Sequence, residues 1–230
     1  MSYAFGMYDS PSRLTRFSHN SRYKGALQLL ELSPNDVLLD YGGGDGQLIA
    51  LAMERNRGGR YIVFDPSNLA EAERKLGSFD NVTLVNGTSN LPDASFTGIA
   101  CLEVLEHVPV TMVDSVVADL YRLLVPGGKL VVSVPIEIGP VSLLKNAVRF
   151  AAGTLHPGTT PRSVVLSAFG AIQSILRVDG HIGFDYRTIP GILTSMGFEL
   201  DKRAFTPFGV LGAFTNSQVH YRFTRPRRNS

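Results

Sequence analysis

The sequence predicts an α/β domain built on a doubly wound, mostly parallel sheet, and three observations predict it. Short apolar runs rich in β-branched residues alternate with helical stretches along the chain. The first such run, VLLD, ends in Asp40 and opens into glycines at alternate positions, Gly42, Gly44 and Gly46. The second, YIVFD, ends in another acid, Asp65, nineteen residues beyond Gly46.

Taken in order, RLTRFSHNSRYKGALQLLEL is an amphipathic N-terminal helix expected to pack over the site; Arg22 is a candidate partner for an anionic group there. The first strand follows from Val37, a helix from Gln47 to about Arg55, and the second strand up to Asp65. The third strand, VTLVN, ends at Asn86, and the fourth runs from Gly98 to Glu103. A helix from about Val110 to Leu124 is stopped by Pro126 and Gly127, so the fifth strand is expected to begin with KLVVSVP at Lys129. FDYRTIPGILTSMGFELDKRAF reads as a helix stopped by Gly197 and then a sixth strand; QVHYRFT is the seventh.

The glycine turn carries the chemistry. Without a Cβ, glycine takes positive φ and lets a ligand lie almost against the backbone, with free N–H groups of the next helix pointing at it. A tight βα turn with no ligand also uses glycine. The dinucleotide fingerprint G-x-G-x-x-G would put its third glycine at position 47, where this chain has Gln47, so the match is D-x-G-x-G-x-G. Asp65 suits ribose hydroxyls because an ionised carboxylate is acceptor-only; the alternative is a solvated strand-end acid.

These residues resemble the first motif of the class I S-adenosylmethionine-dependent methyltransferases. The run NLPDASFTGIACLEVLEHV is similar to the small-molecule methyltransferases of ubiquinone and menaquinone biosynthesis, sharing Gly87, Leu91, Pro92, Asp93, Ser95, Phe96 and the tract from Leu105 to Val108. The resemblance implies a Rossmann-like, doubly wound, seven-stranded, mostly parallel sheet with S-adenosyl-L-methionine as cofactor. It implies that Asp40, Gly42 and Gly44 hold the methionine portion, Asp65 the ribose, Thr88 the adenine edge and the backbone of Leu102 the cofactor. Thr88 departs from the family, which usually places an acid there; its hydroxyl still accepts a hydrogen bond.

The implied reaction is methyl transfer to a small-molecule acceptor, most readily at a hydroxyl oxygen and less readily at carbon or nitrogen, with a lipid-linked or sugar-containing intermediate as the candidate acceptor. A hydroxyl acceptor must lose its proton, and His107, just after the fourth strand, and His181 are the candidate bases. Each has a structural alternative, a bracing or loop histidine. Two other classes stay open: a catalytically silent S-adenosylmethionine-binding partner protein, and a nicotinamide-dependent oxidoreductase, which would want the glycine at position 47.

A single domain over residues 1–230 is expected, with residues 1–36 as N-terminal cap helices and 136–180 as a helical lid inserted after the fifth strand. Within the insertion, VSLLKNAVRFAAGTL and SVVLSAFGAIQSILRV are apolar helical faces flanked by basic residues. They suit a cap over the acceptor, a homodimer face, or peripheral membrane contact through 141–178; each is shorter than the roughly 20 apolar residues a span needs. A net charge of +2 gives no nucleic-acid footprint, and the basic end from Arg222 to Arg228 is expected to be solvated. One cysteine and scattered histidines offer no metal-ligand spacing, and Cys101 is expected to be a small buried hydrophobe. MSYAFGMYDS lacks the basic start and apolar run of a signal peptide, which predicts a cytoplasmic protein, membrane-associated on that face if the insertion lies in an interface.

Overall fold

The computed structural model describes residues 13–138 and 185–227, with isolated positions 150, 160, 162, 164 and 166 between them. Seven strands form one sheet in the order β3-β2-β1-β4-β5-β7-β6. These are β1 (Val37–Tyr41), β2 (Arg60–Phe64), β3 (Val82–Val85), β4 (Phe96–Leu102), β5 (Leu124–Pro135), β6 (Glu199–Thr206) and β7 (Gln218–Thr224). The first five are parallel, and β7 inserts antiparallel between β5 and β6. The strand order reverses between β1 and β4, so the crevice above their carboxyl ends is where such a sheet binds ligands.

Alternating side chains give the sheet two apolar faces. On one, Leu38, Tyr61, Val63, Ala100, Leu102 and Val131 meet α1 (Arg13–Leu30), α2 (Gln47–Arg55) and α3 (Ala70–Leu76). On the other, Leu39, Ile99, Cys101, Val132, Val219 and Phe223 meet α4 (Val110–Leu123) and α5 (Ile189–Ser195). The central strands are buried from both sides and therefore read as continuous apolar runs. Cys101 is fully buried in this core, and burial pushes its thiol well above the usual range, as expected of a packing residue.

Two expectations are corrected. The fifth strand begins at Leu124 rather than Lys129: Leu124 pairs with Phe96, and a register shift lets the chain continue through the VPGG stretch into the regular ladder from Lys129. Gly127, at φ 82°, makes this possible, its N–H donating to the Arg225 carbonyl at 2.7 Å. The basic carboxyl-terminal stretch is not simply solvated either. Arg222 is 6% exposed, donates to Asp201 at 2.6 Å and the Leu29 carbonyl at 3.0 Å, and pairs with Glu31 at 2.9 Å. Arg225 donates to the Tyr121 carbonyl at the end of α4 and lies over the Tyr121 ring at 4.6 Å.

The predicted lid at 136–180 falls outside the described residues apart from 136–138 and the isolated positions. Among the described residues no helix is long and apolar enough to cross a membrane.

Candidate functional site

Asp40, Gly42, Gly44 and Asp65 converge at the carboxyl ends of β1 and β2. Gly42, Gly44 and Gly46 have φ of 79°, 50° and 73°, the left-handed region that favours glycine. The Gly42 and Gly43 N–H groups both donate to the Phe64 carbonyl, at 2.7 and 3.0 Å, which ties the turn to the end of β2. The three glycines then do different jobs. A Cβ at Gly42 would lie 2.5 Å from Val104, and one at Gly46 would lie 2.6 Å from Leu76, so both positions are closed by packing. A Cβ at Gly44 would meet only Asp65 Oδ2, at 3.9 Å, so Gly44 opens onto the space a ligand takes.

Asp65 is fixed from both sides of that space. The Gly44 N–H donates to Oδ2 at 3.1 Å, and the Ser67 and Asn68 N–H groups donate to Oδ1 at 2.9 Å each. These bonds use three of the roughly four lone-pair sites of a carboxylate, leaving acceptor capacity beside the glycine turn. Asp40 lies beneath the turn, 4% exposed. Burial, then the negative charge of Asp45, pushes its carboxyl up to about 7, against the pull of Arg22. A cation placed over the turn would restore its charge.

Arg22, the candidate cation from α1, sits among acids. Its Nη1 lies 3.9 Å from Glu103 Oε2, its Nη2 donates to the Tyr23 hydroxyl at 3.0 Å, and its charge acts on Asp40 and Glu106. Glu103 turns the chain off β4 at φ 56°, a strained backbone for a residue with a Cβ, and its N–H donates to the Ser133 carbonyl at 3.0 Å. Leu102, the residue before it, is buried on the α1 face, so only its main chain can serve a ligand.

Glu106 and His107 are adjacent in sequence and opposite in environment. Glu106 is 1% exposed, and burial, then the charge of Glu103, pushes its carboxyl well above the usual range. His107 is exposed at the rim, and partial desolvation lowers its pKa, keeping the imidazole neutral and able to accept a proton at neutral pH. His181, the other candidate base, lies outside the described residues.

Thr88 is half-buried on the β3–β4 connection. Its carbonyl accepts from Arg122 Nη2 at 3.0 Å and from the Leu91 N–H at 3.0 Å. Arg122, on α4, also donates to the Leu91 carbonyl at 2.9 Å and to Asp93 at 2.6 Å, so one guanidinium holds the whole connection against α4. Sequence reading missed Arg122, because nothing local links it to a loop some thirty residues earlier. Among the described residues no group of three or more His, Cys, Asp or Glu could hold a metal ion.

A family profile described as "Methyltransferase domain" matches residues 15–201. The chain is 28% identical over 128 residues to a demethylmenaquinone methyltransferase of Tropheryma whipplei, which covers 54% of this chain and 53% of that protein. It is 31% identical over 164 residues to a ubiquinone/menaquinone biosynthesis C-methyltransferase UbiE of Hydrogenovibrio crunogenus, covering 66% of this chain and 63% of the relative. The match thus spans about half to three-fifths of the length of these curated relatives. Among solved structures, the N-methyltransferase NodS of Bradyrhizobium japonicum in complex with S-adenosylhomocysteine superposes with a TM-score of 0.60 at 18% identity, covering 95% of this chain and 93% of the other.

Proposed function

The chain belongs to the methyltransferase-domain family, whose cofactor is S-adenosyl-L-methionine, and from that premise we propose that it methylates a small-molecule acceptor at a hydroxyl oxygen. The observation that carries the cofactor assignment is the pairing of Gly44 with Asp65 over the buried Asp40 at the point where the strand order reverses.

The residues fit the cofactor's chemistry. Gly44 would admit its backbone-proximal part while Gly42 shapes the turn against Val104, Asp65 would take a ribose hydroxyl at its remaining acceptor site, and Asp40 would supply negative charge to its cationic end. Thr88, on a connection pinned by Arg122, would meet the adenine edge, and the Leu102 main chain would complete the set. When bound, the cofactor supplies a methyl group on a sulfonium. The protein then has to exclude water and hold the acceptor in line, an orientation effect worth up to about 7 to 11 kcal/mol. His107, neutral at the rim, takes the hydroxyl proton; His181 is the second candidate.

The names of the curated relatives favour a lipid-linked acceptor, and they also favour a second reading in which the methylated atom is carbon. Peripheral membrane contact or a homodimer face through 141–178 suits such an acceptor. A second apolar element stands with it: Phe208, Val210, Leu211 and Phe214 are each more than half exposed on the β6–β7 loop. Asn216 clamps that loop from inside, accepting from the Phe208 and Gly209 N–H groups at 2.7 and 3.0 Å and donating to the Val210 and Gly212 carbonyls at 2.9 and 2.8 Å. The test is methyl transfer from labelled cofactor to demethylmenaquinol and to simple phenols, with the product's methylated atom read by NMR. An O-methyl product supports the reading, a C-methyl product selects the second one, and cofactor binding without turnover on any acceptor leaves the silent partner protein.

A further inference from the structure

The sheet face beneath α1 changes character toward the carboxyl end of β5. Val131 belongs to the apolar cluster there, but Ser133, two residues on and on the same face, is polar. Ser133 stands directly opposite His220 on β7, and Gln218, two residues from His220, shares that face. Gly25 of α1 packs onto this region: a Cβ there would lie 3.0 Å from Thr206 Cγ2 and 3.5 Å from His220 Nε2.

Ser133 and His220 are 0% exposed and Gln218 is 8% exposed. Ser133 Oγ, Gln218 Oε1 and His220 Nδ1 are all enclosed and have no hydrogen-bond partner, while His220 Nε2 shares a 3.0 Å hydrogen bond with Thr206 Oγ1. Unpaired buried polar atoms cost free energy, and three on one face of adjacent strands would be satisfied by a ligand that displaces the packing over them and brings donors. Their place fits an acceptor: Ser133 pairs with Leu102 of β4, two strand spacings or about 10 Å from β1, on the side away from β2 and Asp65.

The chemistry of the set selects the group. Burial, then the nearby Arg22 charge, lowers His220 to about 3, so the imidazole is neutral through the physiological range. Gln218 Oε1 can only accept, Ser133 Oγ accepts as well as donates, and Nδ1 of a neutral ring accepts when the proton sits on Nε2. A carboxylate or phosphate has no proton to offer such a set. We propose that Ser133, Gln218 and His220 form the subsite that reads a neutral hydroxyl or N–H group of the methyl acceptor. This rests on the methyltransferase reading above and adds the residues that choose the substrate.

The experiment uses full-length protein saturated with S-adenosylhomocysteine, with 1,4-dihydroxynaphthalene and glucose as neutral hydroxyl probes and 1,4-dimethoxynaphthalene as the same ring without donors. At least one hydroxyl probe should bind wild type, the dimethoxy compound should not, and Ser133→Ala and Gln218→Leu should each weaken binding about tenfold, as loss of a buried hydrogen-bond partner does. Both variants should keep a melting temperature at or above wild type, since each removes an unpaired polar atom, and should bind S-adenosylhomocysteine within about twofold of wild type. Failure of both hydroxyl probes, equal binding of the dimethoxy compound, unchanged affinity in the variants, or a clear loss of their stability would each overturn the proposal. If wild type does not bind S-adenosylhomocysteine, the cofactor reading itself falls and takes this one with it.

Discussion

Asp40 should couple cofactor binding to proton release. Its carboxyl is buried and raised to about 7, so the free protein carries it ionised in about half of molecules at pH 7 and about one-tenth at pH 6. A cofactor whose cationic end lies over the turn needs the ionised form. S-adenosylhomocysteine should therefore bind about tenfold, or 1.4 kcal/mol, more weakly at pH 6 than at pH 8, and release close to one proton per binding event at the lower pH. The stability of the free protein changes in the opposite direction with pH. Because the folded pKa lies above the unfolded value of 3.8, the native state holds the extra proton between roughly pH 4 and 7, and stability falls as pH rises through that window. Asp40→Asn should raise the stability of the free protein at pH 8 by at most about 4 kcal/mol, the ceiling set by a carboxyl pushed from 3.8 up to about 7, while flattening the pH dependence of binding. Calorimetry at pH 6, 7 and 8 in buffers of different ionisation enthalpy reads the proton count directly. Zero proton release at pH 6, or release that persists in Asp40→Asn, would refute the reasoning.

The glycines should separate by role: alanine at either Gly44 or Gly46 carries the left-handed backbone strain of about 1 to 2 kcal/mol, but Gly46→Ala is also driven into Leu76 and should lose more stability in urea titration, whereas Gly44→Ala should lose less stability and weaken S-adenosylhomocysteine binding. Equal stability losses would dissolve the distinction. Arg222→Met should lower stability by about 2 kcal/mol through lost hydrogen bonds to Asp201 and Leu29, and an unchanged urea midpoint would show the cluster to be inert. With a hydroxyl acceptor, His107→Gln should cut kcat by about 10²-fold or more without changing cofactor affinity, and the acid limb of the wild-type rate profile should fall below the ordinary histidine pKa because desolvation lowers it. A loss under about threefold would indicate that positioning alone suffices.

What was legible in the sequence was local. Glycines at alternate positions after an apolar strand require positive φ, and Gly42, Gly44 and Gly46 have it; the strand-end acid Asp40 falls at the switch point with Asp65 one strand away, and Gly197 ends α5 at φ 95°. What was not legible depends on pairs far apart in the chain. Arg122 holds a connection about thirty residues upstream, Arg222 is buried against Glu31 and Asp201, and β5 starts five residues early because Leu124 finds Phe96. Glu106 and His107 are equivalent in a motif, and only the direction of the turn after β4 sends one inward and leaves the other at the rim. The polar face at Ser133, Gln218 and His220 was hidden for a related reason: in the sequence these residues merely interrupt two strands, and only the β5–β7 register puts them on one side.

The most direct test titrates S-adenosylhomocysteine into the purified protein by calorimetry, with NAD and the Asp65→Ala variant as controls. The account predicts saturable binding to wild type, none of NAD, and loss of binding in an Asp65→Ala protein that still unfolds cooperatively. No binding to wild type, preference for NAD, or full affinity in Asp65→Ala would contradict it.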